Sequence, residues 1–401
     1  VALGAALLTW IGWWIAGASA GFIFERVVTV LVIACPCAMG LATPIAIMVG
    51  SGRGAENGIL YRDALAIETL QKVDSVVFDK TGTLTKGQPK VTGINSHSSY
   101  FANEILEYAG AVEKNSEHII AKAIVAECES RKIVSVDASE FRSYPGLGTS
   151  GVLKEKAVLV GNKIFLRDAG IEVPEALNSA DLGEVHVSID GSYSGSIIFS
   201  DTIRDDAAET IAHLHDMNLN LVLLSGDREE LVESVANTVN ISSYESNFLP
   251  QDKAAYISNM QKKGQVVCMV GDGVNDAPAL TQADIGIAMG GGTDIAIESA
   301  QITVLGNRLS SIVQSIRLSK SCITTIKQNL FWAFAYNILL VPIAAGILYP
   351  LFTSETVPGW LSPLLGDRGF LNPIVAATAM GLSSITVVLN ALRLKTSKII
   401  K

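Results

Sequence analysis

Ser75-Val76-Val77-Phe78-Asp79-Lys80-Thr81-Gly82-Thr83-Leu84-Thr85 is the stretch whose reading decides the fold. Its first four residues are a short apolar run, as expected of a parallel strand buried on both faces, and the run stops at an acidic, glycine-bearing turn. Two more runs end the same way. LVLL at 221–224 leads into Ser225-Gly226-Asp227-Arg228, and VVCMV at 266–270 leads into Gly271-Asp272-Gly273-Val274-Asn275-Asp276-Ala277-Pro278. In an open α/β sheet the active site lies beyond the carboxyl ends of the strands, so Asp79, Asp227 and Asp272 are predicted to converge. A carboxylate placed there, in a turn whose backbone N–H groups can hold oxygens, is suited to attack a phosphoryl group. An aspartate after a strand more often caps a helix, and that reading suffices for Asp227 or Asp272 taken alone. For Asp79 the DKTGTLT run, seven specific residues long, has to be weighed against it.

Outward from this region, charge locates a membrane. Residues 1–24, 27–52, 328–354 and 370–392 carry no Asp, Glu, Lys or Arg, and each run exceeds the ~20 residues a helix needs to cross the hydrocarbon core. Buried helices of a soluble core would show a polar stripe. The first run lacks the cationic leader and cleavage site of a secretory signal. Two transmembrane helices are expected in 1–52 and two in 323–395. Charges recur from Arg53 to Lys327, so that stretch reads as soluble. Lys320, Lys327, Arg393, Lys395, Lys398 and Lys401 flank the later spans and place it in the cytoplasm, with 355–369 as a loop on the far side.

Composition agrees: 49% of residues are apolar and the mean hydropathy is +0.37. A net charge of -9 leaves no basic face for nucleic acid. The five cysteines are an odd number, and Cys35 and Cys37 stand too close for an unstrained disulfide inside a helix. Free thiols in a reducing compartment are therefore expected.

Within the soluble stretch, strand and helix patterns alternate over 70–88 and 196–310, which reads as one α/β domain. Residues 89–195 differ in texture, with antiparallel-looking pieces such as 185–189 and two helices near 103–131. They read as an inserted α+β domain.

DKTGTLT resembles the phosphorylation motif of P-type ATPases, and Gly271–Pro278 resembles their magnesium-holding signature. The resemblance implies a haloacid-dehalogenase-like phosphorylation domain carrying an inserted nucleotide-binding domain, all within a multidomain integral membrane protein. Asp79 would be the phosphorylated nucleophile, flanked by Lys80, Thr81 and Asn275. Asp79, Thr81, Asp272 and Asp276 would hold Mg2+, offsetting the negative charge gathered in phosphoryl transfer. Ser225-Gly226-Asp227 resembles the family's Thr-Gly-Asp segment and keeps its hydroxyl. Lys253, after Pro250, falls where the family has a phosphate-binding lysine, and Asp201-Thr-Ile-Arg204 matches the strand leading back from the insert. In the insert, Glu113, Ser116, Glu117, His118, Gly146, Gly148, Gly161 and Asn162 resemble the ATP pocket of the heavy-metal subgroup, whose glycines admit adenosine close to the backbone. Ile119 departs from that subgroup's proline. The resemblance implies adenine contact by His118, with a histidine that merely caps or packs a helix as the alternative.

Cys35-Pro36-Cys37 lies mid-span, where a proline frees backbone groups and two thiolates offer soft donors for Cu(I), zinc and similar ions. Asn329, Tyr336, Asn337 and Pro342 in the third run, and Met380, Ser383 and Ser384 in the fourth, are polar or thioether groups of the kind that need a functional partner in a bilayer. These three segments resemble copper(I)-exporting heavy-metal ATPases of the cell membrane. The resemblance implies Cys35, Cys37, Tyr336, Asn337, Met380 and Ser384 as ion ligands, with Cu+ or Ag+ as cargo and delivery by a cytosolic copper chaperone. A zinc or cadmium pump would be expected to add a charged donor in the last spans, and none is visible. The family also has an actuator domain with a Thr-Gly-Glu loop, absent from this sequence. The chain opens on valine within an apolar run, so it is expected to be a fragment lacking that domain and the first spans, not competent alone for full turnover. A soluble dehalogenase-type phosphatase would leave the spans unexplained, and a passive copper-binding membrane protein would leave DKTGTLT unexplained.

Overall fold

The computed structural model describes residues 2–396 apart from 36, 98, 135, 175–182, 291–293, 307, 353–356 and 367. The chain divides into two compact units, Val1–Lys72 with Gln314–Lys401, and Val73–Val313.

In the first unit, Ala2–Ile15, Ala20–Ile33, Cys37–Glu56, Ser310–Ala345 and Pro373–Thr396 are helical. Among the described residues three stretches are long and apolar enough to cross a membrane: Ala20–Glu56, Ser310–Ala345 and Pro373–Thr396. Within 1–52, where two transmembrane helices were expected, helix covers Ala2–Ile15, Ala20–Ile33 and the first part of Cys37–Glu56. The first apolar run is broken at Gly17, whose φ of +74° no helix tolerates, and helix resumes at Ala20, continuing through Glu25 and Arg26. Ala2–Ile15 has 14 residues, about 21 Å of helix at 1.5 Å per residue.

Arg26 is buried, with its guanidinium 5.4 Å from the Phe22 ring and 4.9 Å from that of Phe370. Those aromatic faces offset part of the cost of its charge. Helix Cys37–Glu56 buries Ala38, Ala42, Ala46, Gly50 and Gly54 at intervals of four. Such a stripe lets helices approach closely. A Cβ on Gly50 would stand 2.1 Å from Cys322 Sγ. Asn390 donates to Asn329 Oδ1 at 2.9 Å, pairing the two long helices by a polar contact.

In the second unit the central strands are all parallel, in the order Ile302–Val304, Ile285–Met289, Val267–Gly271, Ser75–Asp79, Asn220–Leu224, Ser243–Glu245. Val76 pairs with Leu221 on one side and Cys268 on the other, so Ser75–Asp79 lies mid-sheet and every residue of it is buried. Helices Pro250–Lys262 and Ala277–Gln282 cover one face, packing Ile257, Met260 and Leu280 against Val77, Val222 and Met269.

From this sheet two long strands, Thr85–Ser96 and Ser192–Ile203, run out as an antiparallel pair. They continue into a sheet with Gly183–Ile189, Lys156–Gly161, Gly148–Leu153 and Ser139–Tyr144. Alternation decides its buried face: Val185, Val187 and Ile189 join helices Ala102–Glu113 and Ile119–Ser130 in one apolar core.

Candidate functional site: a buried carboxylate cluster and an intramembrane cavity

Asp79 ends the central strand with 6% exposure. Its Oδ1 accepts a short hydrogen bond from Lys253 Nζ, and the same ammonium reaches Asp276 Oδ1 at 2.8 Å. Oxygens of Asp79, Asp272 and Asp276 all lie within 4.8 Å of one another. The sheet produces this convergence, because Ser75–Asp79 and Val267–Gly271 are neighbours in parallel register. Burial, with the Asp276 carboxylate adding to it, pushes the Asp79 carboxyl up to about 7 against the opposing pull of Lys253. Burial and Asp276 likewise raise Asp272 to about 6. Burial alone would lower the Lys253 ammonium, but Asp79 and Asp276 outweigh it and raise its pKa. Lys253 faces Asp79 and Asp276 while the Arg204 guanidinium pulls on Asp272, yet both Asp79 and Asp272 stay raised, so the cluster remains under-neutralised and suited to a divalent cation.

The loop after Asp79 is held by its backbone. Gly82 has φ +74°. Arg204 Nε donates to Thr83 O at 2.6 Å, and its terminal nitrogen donates to Gly82 O. Asp201 accepts from Gly87 N at 3.1 Å, from Gln88 N at 3.0 Å and from the Thr85 hydroxyl. Asp201 and Arg204 therefore position the loop that follows Asp79, where the sequence reading had only a motif match. Lys80 forms an ion pair with Asp227, and Asp227 N donates to the buried Ser225 hydroxyl at 3.1 Å. Thr81 and Asn275 are exposed. Lys80, Thr81, Gly226 and Asp227 line a cleft of about 1030 Å³ whose other wall includes Ile119, Lys163, Glu184 and His186.

The residues expected to bind nucleotide fall into one neighbourhood. Gly148 and Gly161 are direct partners across neighbouring strands. Asn162 donates to Gly146 O at 3.0 Å and accepts from Phe165 N at 2.9 Å. Buried Glu113 accepts from Thr149 at 3.0 Å, and burial raises its carboxyl's pKa against that hydrogen bond. Exposed His118 caps helix Ile119–Ser130, its Nδ1 accepting from Ile120 N at 3.3 Å. The capping role noted for it is therefore present. Ile119, at the helix's first position, is 48% exposed.

In the membrane unit, Cys35, Ala38, Met39, Ala333, Phe334, Asn337, Met380 and Ser383 enclose a cavity of about 10 Å³. Cys35, Asn337 and Met380 are thereby brought together as expected. Cys37, Tyr336 and Ser384 are not among the described residues that line it. Tyr336 is half-buried beside the Trp332 ring, and the Ser384 hydroxyl turns back to Met380 O at 3.4 Å. Met39 was not singled out from the sequence, and Ser383 was singled out as a polar span residue but not as an ion ligand. The expectation of two free thiols is corrected: Cys35 and Cys37 are joined as a disulfide, with Cα atoms 5.5 Å apart. The pair does not sit in a continuous helix, because one helix ends at Ile33 and the next starts at Cys37. That break gives the Cα spacing a bridge requires. Pro36, the middle of the motif, lies outside the described residues.

A sequence profile of haloacid dehalogenase-like hydrolases matches residues 73–284. The chain is 43% identical to copper-transporting ATPase 1 of Rhizobium meliloti over 97% of its own length and 46% of that protein. It is 41% identical to a copper-exporting P-type ATPase of Staphylococcus saprophyticus, covering 48% of that protein. It therefore spans about half the length of the curated relatives it matches. Among solved structures it resembles a zinc-transporting PIB-type ATPase in the E2.Pi state, with TM-score 0.79, 32% identity, and coverage of 98% of this chain and 62% of that one. It also resembles the catalytic domain of the CPx-ATPase CopB-B, with TM-score 0.57, 31% identity, and coverage of 67% of this chain and 98% of that one. Profile, identity and fold agree with the Asp79 cluster and the cysteine-lined cavity: the chain belongs to the haloacid dehalogenase-like hydrolases and, within them, to the heavy-metal P-type ATPases.

Proposed function

We propose that this chain carries the phosphorylating centre and the ion site of an ATP-driven pump that moves Cu(I), or Ag(I), out of the cytosol across the cell membrane. The observation that carries the reading is the joint presence, in one chain, of the Asp79–Lys253–Asp276 cluster and an intramembrane cavity lined by sulfur donors. The names of the relatives point the same way, being copper-transporting and copper-exporting ATPases.

The chemistry follows from the residues. ATP bound along the cleft, with its base toward Glu113, His118, Gly146, Gly148, Gly161 and Asn162, presents its terminal phosphoryl group to Asp79. The Asp79 carboxylate forms the new O–P bond as the bond to ADP breaks, giving an aspartyl phosphate. Lys253 holds the nucleophile and favours its ionised form, while Lys80, oriented by its ion pair with Asp227, and the Ser225 hydroxyl would contact the phosphoryl oxygens. Asp79, Asp272 and Asp276, with Thr81, would hold the magnesium ion, which supplies positive charge against the transferring phosphoryl group when bound. Asp79→Asn should abolish acid-stable, hydroxylamine-labile label from ATP while leaving nucleotide binding largely intact. Full labelling of that variant refutes the assignment.

Cargo choice follows donor softness. With the Cys35–Cys37 bridge reduced, a thiolate, thioether, amide and hydroxyl suit monovalent copper or silver, and no carboxylate, imidazole or amine is among the described residues that line the cavity. Zinc is the second reading, favoured by the likeness to a zinc-transporting ATPase. ATP hydrolysis by the full-length protein, titrated with Cu(I), Ag(I), Zn(II) and Cd(II) under reducing conditions, decides between them. Stimulation by zinc without a Cu(I) response would move the site to the harder ions. Delivery of Cu(I) by a cytosolic chaperone belongs to the same proposal and is tested by metal transfer from a loaded chaperone.

A further inference from the structure

Strand Gly183–Ile189 runs beside Lys156–Gly161, and His186 is the direct partner of Gly161, itself the direct partner of Gly148. The three residues form one row across the sheet, which puts His186 one strand spacing, about 5 Å, from Gly161 and about 10 Å from Gly148. Residues two apart on a strand share a face. Val185, Val187 and Ile189 belong to the apolar core, so Glu184 and His186 turn the other way, and both line the cleft that Lys80, Thr81 and Asp227 also border. Ile119 and Lys163, which follow His118 and Asn162 in the chain, line it too. The cleft thus joins the proposed base contacts to the loop after Asp79, with His186 and Glu184 in its wall. His186 is 6% exposed, and its Nδ1 stands 3.2 Å from the Tyr193 hydroxyl, which fixes the ring. Among the described residues its Nε2 has no hydrogen-bond partner, nor has either oxygen of Glu184, whose Oε1 is buried. Burial lowers the imidazole's pKa, with Lys163 acting in the same direction and Glu184 against it, so the ring is neutral near neutral pH. Packing against Tyr193 accounts for one ring nitrogen only. Leucine would pack there without leaving a polar atom unpaired.

We infer that His186 and Glu184 bind the ribose of the nucleotide, the carboxylate accepting from its hydroxyls and the imidazole Nε2 completing their hydrogen bonding, so that the site selects ribonucleotides. The inference rests on the ATP reading above and extends it to the sugar. Chemistry separates the ribose from the rest of the nucleotide. A phosphate chain would be repelled by the Glu184 carboxylate and would call for a charged imidazole. An adenine edge alternates donor and acceptor, so a carboxylate that meets its amino group also meets a ring lone pair. A vicinal diol offers two O–H donors side by side, which a carboxylate accepts without conflict, and its oxygens exchange hydrogen bonds with a neutral imidazole in either tautomer. An acidic residue on ribose hydroxyls is the device that dinucleotide-binding folds use for the same recognition.

The test measures equilibrium binding of ATP, dideoxy-ATP lacking both ribose hydroxyls, and inosine triphosphate to the full chain in detergent with Mg2+. The unsubstituted protein should hold ATP at least about tenfold tighter than the dideoxy analogue, the scale of hydrogen bonds lost to groups that stay unpaired. In His186→Leu and in Glu184→Ala that preference should shrink toward one, because ATP binds more weakly while the dideoxy analogue binds as before. The preference for ATP over inosine triphosphate, which reports on the base, should be the same in all three proteins. Equal binding of ATP and the dideoxy analogue by the unsubstituted protein overturns the inference and leaves the ATP reading standing. A variant that weakens both ligands by the same factor, or that loses the base preference instead, overturns it as well. Absence of ATP binding by the unsubstituted protein overturns the ATP reading itself and the inference with it. Glu184 is only half-buried, so Glu184→Ala carries the comparison if His186→Leu does not fold.

Discussion

A Cβ atom placed on Gly82 would lie 1.8 Å from Asp272 Oδ2, so the loop after Asp79 and the segment carrying Asp272 are packed together with room for hydrogen only. Gly82 also has φ +74°, a conformation that costs an L-residue roughly 1–2 kcal/mol. Gly82→Ala should therefore displace Asp272 and lower Mg2+-dependent phosphorylation of Asp79 by at least about 100-fold, the scale associated with misplacing a catalytic group by ~1 Å. Gly264→Ala is the matched control, since Gly264 has φ +85° with open space around it. That variant should lose stability of the same backbone origin and keep full phosphorylation. Equal phosphorylation in the two variants would contradict the steric account.

Lys253 carries the second prediction. Its ammonium is the cation that meets both Asp79 and Asp276, and all three groups are buried. Removing one member of such a group leaves uncompensated charge, at a typical cost of ~3–5 kcal/mol. Lys253→Met should lower the melting temperature of the metal-free protein markedly. Saturating Mg2+ should recover part of the loss, because the ion replaces the missing positive charge. Phosphorylation should stay low even then. A melting temperature unchanged by Lys253→Met would show that the pair contributes nothing to the fold.

The third prediction concerns pH. Asp79 and Asp272 are raised from 3.8 to about 7 and about 6 in the folded protein. A carboxyl with a folded pKa above its unfolded one holds its proton in the folded state after the unfolded chain has lost it. Its contribution to stability is fully present below pH 3.8 and fades as pH rises through the folded pKa. The metal-free protein should accordingly lose stability from this cluster between about pH 4 and pH 7, whereas ordinary paired carboxylates gain it there. Mg2+ requires ionised carboxylates, so its stabilising effect should be largest at and above pH 7 and small below pH 6. Thermal melts with and without Mg2+ across this range measure the difference. A magnesium effect independent of pH would remove Asp79 and Asp272 as its ligands.

The convergence of Asp79, Asp272 and Asp276 was legible in the sequence because it depends on strand ends. Val76, Val77 and Phe78 could be read as a buried parallel strand, and a parallel sheet puts the next residue, Asp79, beside those that follow 267–271. The membrane site was less legible, because which side of a helix faces inward depends on packing and on breaks in helical phase. The sequence gives no rule for choosing between Ser383 and Ser384, and the structure buries Ser383 at the cavity. Met39 looked like any apolar residue of a span. Gly17 and the gap between Ile33 and Cys37 reset the helix direction within stretches that hydropathy reads as continuous. Arg204 was visible as part of a motif, but its hold on the carbonyls of Gly82 and Thr83 is a contact between segments more than 100 residues apart.

The last prediction separates the nucleotide pocket from the chemistry. Gly148 and Gly161 face each other across two strands, and a Cβ on Gly148 would stand 2.3 Å from Val160 O, one on Gly161 2.5 Å from Leu147 O. Both obstacles are backbone atoms, so an added methyl must push the strands apart where Gly146 and Asn162 are joined. Gly148→Ala and Gly161→Ala should weaken ATP binding at least about tenfold, since losing a close backbone approach of this kind removes 1.4 kcal/mol or more. Neither residue is among those lining the Asp79 end of the cleft. A small phosphoryl donor such as acetyl phosphate carries no adenosine and needs only the Asp79 cluster. It should label both glycine variants at the level of the unsubstituted protein and fail to label Asp79→Asn. Loss of ATP labelling alone assigns the glycines to the nucleotide. Loss of labelling by both donors would instead mean that the two glycines maintain the fold of the whole Val73–Val313 unit, and that the pocket must be sought among other residues of the cleft.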